Sequence, residues 1–276
     1  MTTASEPAIE KPQYWRLLLD IEADTLHALA TSTVADATMQ CFSIPLNPTL
    51  TPQAALREAV YSTPALLSDF GRIDIVIASD RFVVLPAAID TETADAAADI
   101  AAIAADGSDA SVNISPAGGS GTAVAWTTTP ELLAFVQRTF RNPGIHHPLA
   151  ILGSYFSSRS HRGNRRKTYI HLADSDRVDM ASFDSDGSLL RLSAKHAASD
   201  TDALYIIMAS LKADCFNPLD DELLLCGNAR RRQSLTPLLR RYLRNVMPMI
   251  FPSAALRAGD DAQSAPFPLV ILPLCE

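Results

Sequence analysis

Arg159, Arg162, Arg165, Arg166 and Lys167 place five cationic side chains within nine residues, separated only by serine, histidine, glycine and asparagine. A guanidinium is a planar fork that gives two parallel hydrogen bonds to a carboxylate or a phosphate. The run therefore reads as an exposed loop that docks an acidic partner or a phosphate backbone. Two other groups, Arg230 to Arg232 and Arg240 with Arg241 and Arg244, read as solvated faces; the latter also offsets the macrodipole at a helix C-terminus. Other residues of chemical potential are poorly arranged. His146 and His147 are adjacent, so their side chains point apart, and no cysteine or carboxylate lies near them in sequence as a metal site requires. They read as a turn entering a helix at Pro148. His27, His171 and His196 fall in strand-like runs, as partly buried residues with satisfied hydrogen bonds. Asp220, Asp221 and Glu222 read as a solvated turn. The glycines at 118, 119 and 121 resemble a phosphate loop but lack the Gly-Lys-Ser/Thr and the helix that should follow, so a hairpin tip is expected. There is no Gly-x-Ser-x-Gly elbow, and Cys41, Cys215, Cys226 and Cys275 form no Cys-x-x-Cys pair. No catalytic residue, metal or cofactor is expected from these patterns.

The elements that must position these residues belong to a chain of 276 residues, 47% hydrophobic, long enough for two domains. Residues 1–12 lack the basic start and apolar core of a signal peptide and read as a disordered leader. Apolar runs fall far short of the roughly 20 residues of a bilayer span, so no membrane association is expected. Sparse, unpatterned cysteines fit a reducing compartment, the cytoplasm. Residues 1–137 carry 5 basic and 17 acidic side chains, and residues 138–276 carry 18 and 14. That division disfavours nucleic acid as the partner and favours a protein, with the basic clusters as local sites.

Hydrophobic periodicity gives one order of elements twice. Residues 15–20, 25–31 and 39–45 read as strands of a meander. Thr51 and Pro52 then open a helix, as N-cap and first-turn proline, and the apolar run at 73–78 reads as a strand buried on both faces. Strands at 168–172, 178–183 and 189–194 repeat the meander. Ser199 and Asp202 cap a helix, 222–226 is the next buried strand, and 235–243 reads as an amphipathic helix. Between the two copies lie an alanine-rich, helix-like stretch at 91–105, two β-like runs at 111–115 and 122–127, and a helix capped by Thr129 and Pro130.

The repeated βββαβα order is the plan of actin-like ATPase domains, two ribonuclease-H-like halves facing a cleft. The chain also resembles a bacterial family catalogued as domain of unknown function 3822. The resemblance rests on Phe82 to Pro86, on His146 and His147 with Pro148 and Leu149, on Asp202 to Tyr205, on Leu224 to Gly227 and on Tyr242 to Val246. It covers residues 15–251, with the order and spacing of the motifs carrying the weight. It implies an α/β fold of two halves, 13–147 and 148–276, the first with an insertion at about 87–147, and it brings no known activity.

The resemblance also says where a nucleotide site would lie. Glycine-bearing turns in each half let backbone N–H groups approach phosphates. Here the first such position reads Asp20, Ile21, Glu22, with a glutamate where the glycine belongs. The second runs from Ala173 through Asp174 to Arg177 without glycine, and only Gly227 remains in the third. Asp20, Asp174 and Gly227 are thus the remnants of a degenerate site. The expected function is a non-catalytic scaffold or interaction protein. A divergent ATPase or phosphotransferase is the alternative, and an RNA-associated accessory factor the second alternative.

Overall fold

The computed structural model describes residues 9–34, 38–85, 110–118, 122–160 and 163–275. The leader through residue 8, the expected helix at 91–105, and Arg162 lie outside these ranges. Strands β1 (Trp15–Ile21), β2 (Thr25–Ser32) and β3 (Met39–Pro45) form an antiparallel meander, and α1 (Pro52–Tyr61) crosses over to β4 (Arg72–Ile77), which runs parallel to β1. The Thr51 hydroxyl accepts from the Ala54 N–H at 3.4 Å, and Pro52 takes a first-turn position whose N–H would lack an acceptor anyway. Both β1 and β4 hold five consecutive buried residues, as expected of central strands covered on both faces.

Strands β5 (Phe82–Leu85), β6 (Ser111–Pro116) and β7 (Ala123–Thr128) make a separate sheet in the order β5-β7-β6. β6 and β7 pair antiparallel, and the expected hairpin tip between them, residues 119–121, lies outside the described residues. This sheet starts at Phe82, before the expected insertion, because Phe82 pairs with Trp126. Thr129 caps α2 (Pro130–Thr139), and β8 (Gly144–His146) then returns to the first sheet beside β4.

Helix α3 (Pro148–Ser160) follows His147, whose carbonyl accepts from Ala150 and Ile151. Nine of its thirteen residues are buried, leaving only a narrow polar edge of Ser154, Ser157 and Ser158, so it is largely an interior helix. Beyond it, β9 (Lys167–Leu172), β10 (Arg177–Phe183) and β11 (Leu189–His196) repeat the meander. α4 (Asp200–Ala213) crosses over, and β12 (Glu222–Gly227) pairs parallel to β9. The helix expected at 235–243 is instead α5 (Ala229–Leu239): the Asn228 side chain accepts from the Arg231 N–H and starts it six residues early. Pro237, which lacks an N–H, precedes its end by two residues. β13 (Val246–Pro248) completes the second sheet. The two five-stranded sheets have matching orders, β3-β2-β1-β4-β8 and β11-β10-β9-β12-β13.

The chain then runs through α6 (Ser253–Ala258), α7 (Asp260–Ser264) and α8 (Phe267–Ile271). All five residues of α8 are buried, and α8 packs on both β1 and α3, while α3 packs on β10 and β11. One apolar cluster therefore runs from the first sheet through α3 and α8 to the near face of the second sheet, where Tyr169 and Phe183 join it. A second cluster fills the space between the far face and α4 with α5. Among the described residues no helix is long and apolar enough to cross a membrane.

Candidate functional site

The β1–β2 turn, the β9–β10 turn, the bend between β12 and α5 and the loop after β4 converge on a cleft between the two sheets. Two cavities open there, of about 180 Å³ and about 300 Å³, and Glu22, His171 and Ala173 line both. The three remnants named from the sequence come together here. Asp20 lies at the end of β1 and lines the larger cavity, while Asp174 and Gly227 line the smaller. Asp174 accepts a 2.7 Å hydrogen bond from the Asn228 side chain and lies 3.8 Å from His27 Nε2. Gly227 has φ +86°, and an added Cβ would overlap the Leu172 carbonyl oxygen. Packing against β9 therefore accounts for this glycine without a nucleotide.

Charged groups crowd the larger cavity. Asp179 accepts from Arg177 Nε at 2.7 Å and faces His171 Nδ1 at 3.1 Å. Burial alone would raise its pKa, yet Arg177 and His171 hold it down at about 2. Arg177 also reaches Asp80 at 3.3 Å, and His196 lies between Asp80 (2.9 Å) and Asp176 (2.7 Å). Those two hydrogen bonds raise the His196 pKa. Asp80 follows the first sheet and Arg177 and His196 belong to the second, so this chain of ion pairs bridges them. Asp20 is different. It is 6% exposed and accepts no hydrogen bond among the described residues, and burial together with Glu22 and Asp179 raises its pKa well above the carboxylate norm. Burial, with Asp174 nearby, raises Glu22 as well.

The β9–β10 turn faces the wrong way for an anion on one side. The Arg231 guanidinium, projecting from α5, donates to the carbonyls of Ala173, Ser175, Asp176 and Arg177. A turn whose carbonyls converge on a cation is opposite in sense to the N–H concavity that cradles phosphate. The sequence reading of Arg230 to Arg232 as a uniformly solvated face is thereby corrected. Arg230 is exposed, whereas Arg231 holds this turn and Arg232 donates to the Gly227 carbonyl at 3.0 Å.

The basic run beyond α3 is also not one exposed loop. Arg159 ends α3 and lies over the Tyr155 ring at 3.6 Å. Arg166 donates to Asp184 and to the carbonyls of Asp214 and Cys215, tying three segments together. Lys167 begins β9, opposite Phe183 and Glu222. Arg165 is half exposed, 3.8 Å from Glu222. Strand pairing immediately after the run, and the carbonyls left at the end of α4, draw these side chains in.

Asp80 and Asp179 are not singled out by the sequence, which marks His196, Arg177 and Arg231 only as a strand residue, the end of a turn and part of a solvated face. Arg177 and Asp179 carried a signal: two charges at period two inside an otherwise apolar strand must share a face and need each other. His146 had none. It joins Arg16 and Arg72 around the fully buried Asp74, at 2.8, 2.7 and 3.0 Å, in a second ionic cluster within the first sheet. Among the described residues, no group of three His, Cys, Asp or Glu side chains could hold a metal.

The architecture has known likenesses. A Bacteroides thetaiotaomicron VPI-5482 protein, described as having an actin-like ATPase fold and unknown function, aligns with a TM-score of 0.76 at 21% identity, covering 92% of this chain and 96% of that one. The PilM-PilN type IV pilus biogenesis complex aligns with a TM-score of 0.57 at 14% identity, covering 96% of this chain and 98% of that one. At these identities the likeness shows the fold, α/β with mixed sheets of the actin-like kind. Among curated proteins nothing matches the chain. Residues 5–246 match the family described as protein of unknown function (DUF3822), and the chain belongs to that family.

Proposed function

We propose that this chain is a non-catalytic scaffold or interaction protein, built from two ribonuclease-H-like halves at 13–147 and 148–276, whose cleft no longer turns over nucleotide. In this reading the β5-β7-β6 sheet belongs to the insertion of the first half. The observation that carries the proposal is the seating of the C-terminal segment. Ala265, Pro266 and Phe267 wall the smaller cavity and Pro268 walls the larger. Phe267 is 1% exposed, its ring 6.0 Å from Phe156 and 5.6 Å from Phe251. The cavity beside Gly227 is left at about 180 Å³, below the roughly 300–1,000 Å³ usual for small-molecule pockets. Glu22 in place of glycine, and the carbonyls that Arg231 gathers, support the same conclusion.

A protein partner fits the likeness to a chain of the PilM-PilN type IV pilus biogenesis complex. Within this proposal the partner contacts the half-exposed Arg165 together with Arg159, and with Arg162, which lies outside the described residues, while Arg166 and Lys167 serve the fold beneath. Melting with and without millimolar Mg-ATP tests the central claim. No shift is expected. A nucleotide bound at 100 times its Kd would add about 2.7 kcal/mol, several degrees of melting temperature. A rise of that size, lost in Asp20→Ala, would overturn the proposal.

A further inference from the structure

Asp20 sits in a cavity whose other charges are largely paired with one another, although Arg177 Nη2 is buried without a hydrogen-bond partner among the described residues. Arg177 is shared between Asp179 and Asp80, His171 faces Asp179, and His196 is shared between Asp80 and Asp176. Asp20 has no such partner: among the described residues its side chain makes no hydrogen bond or ion pair, and it is 94% buried against a cavity of about 300 Å³, while Glu22 beside it accepts from the Ser175 backbone N–H. The Asp20 carboxyl faces the cavity without a cation of its own. Its remaining walls include Ile21, Ile77, Leu132 and Pro268, all apolar.

We propose that this cavity binds a small alkylammonium ion, its N–H groups donating to Asp20 and Glu22 and its hydrocarbon lying against Ile21, Ile77 and Leu132. Buried carboxylates are stable as anions only when paired with a cation that also satisfies their hydrogen bonds. A compact metal ion fits poorly, since no three ligating side chains converge among the described residues. An ammonium on a hydrocarbon stem meets both demands, with three donors to reach separated carboxylates and an apolar body for the walls. An anion would meet the carboxyls of Asp20, Glu22, Asp80, Asp176 and Asp179, with Arg177 Nη2 the unpaired guanidinium nitrogen among the described lining residues.

The charge balance also sets the pH dependence. Burial first, then Glu22, Asp179 and Asp174, hold the Asp20 carboxyl protonated above the usual carboxylate range, against the pull of Arg177. The His171, His196, Asp80 and Asp176 side chains complete the charged surroundings. A bound ammonium favours the ionised carboxylate, so binding releases a proton and tightens as pH rises through the Asp20 titration. Glu22 lines this cavity and the one beside Gly227, and the probe separates amine binding from nucleotide binding, since an alkylammonium ion carries no phosphate.

Isothermal titration calorimetry of the full chain with n-butylammonium is the test, with butyrate and Mg²⁺ as parallel ligands. Saturable binding of n-butylammonium is expected, tenfold or more tighter at pH 8 than at pH 5. Butyrate should give no binding, and Asp20→Asn and Glu22→Gln should each weaken n-butylammonium at least tenfold while keeping the parent's circular dichroism. Nα-acetyl-lysine amide separates the sources of the ammonium: if it binds as well, a partner's lysine fits, and if it does not, a free amine is the ligand. Absence of n-butylammonium binding, equal binding of butyrate, displacement of the amine by Mg²⁺, or full affinity in both variants would each overturn the proposal.

Discussion

Asp20 and Asp74 lie on neighbouring strands of one sheet, both buried, and titrate in opposite directions. Burial alone would raise Asp74, but its bonds to His146, Arg16 and Arg72 hold it at about 2. An unfolded aspartate titrates near 3.9, so Asp74 contributes roughly 2–3 kcal/mol that is present above pH 4 and lost as pH falls towards 2. Asp74→Asn should therefore cost several kcal/mol at pH 7, leaving buried cations without their anion, and far less at pH 2. Asp20 has the reverse sign. Its folded pKa is raised, so the stability linked to it is present below the unfolded pKa and fades as pH rises through the folded one. Asp20→Asn should melt above the parent at pH 7.5 and close to it at pH 4; a lower melting temperature at pH 7.5 would contradict the assignment. Asp20 was legible from the resemblance, because a carboxylate at the end of the first strand is where that fold places one. Its lack of a partner was not, since Arg177, which could have neutralised it, is drawn to Asp179 and Asp80 by contacts that no local pattern encodes.

Elements whose limits depend on local chemistry were readable. Thr51 with Pro52, Thr129 with Pro130 and Ser199 with Asp202 each mark a helix start by hydrogen bonds made within three residues, and the structure contains all three. The start of α5 was missed because Asn228 stands in a bend that the fold resemblance had assigned to ligand contact, and because three successive arginines look like surface. A helix turns about 100° per residue, so three consecutive residues cannot share one environment. The consequence is measurable: Arg231→Ala strips the donor from four carbonyls and should cost about 1–3 kcal/mol, whereas Arg230→Ala should stay within about half a kcal/mol. Urea denaturation of the two variants checks this, and equal midpoints would remove Arg231 from its role as the clamp of the β9–β10 turn.

At the scale of the molecule, the repeated order of elements was visible because each half buries its own alternating strands. The closing segment was not, because α8 is five apolar residues with prolines on either side and carries no period of its own. Its importance comes from where it lands. Phe267→Ala should cost about 3–5 kcal/mol, as for other fully buried aromatics, and a chemical-denaturation midpoint close to the parent's would mean that the segment is peripheral. The contact between α8 and β1 has a further consequence during synthesis. Residues 15–21 leave the ribosome some 250 residues before the helix at 267–271 that covers them. At about 5–20 residues per second the first sheet waits on the order of ten to fifty seconds with part of its apolar surface in water, an interval in which a chaperone, rather than the chain itself, has to cover it.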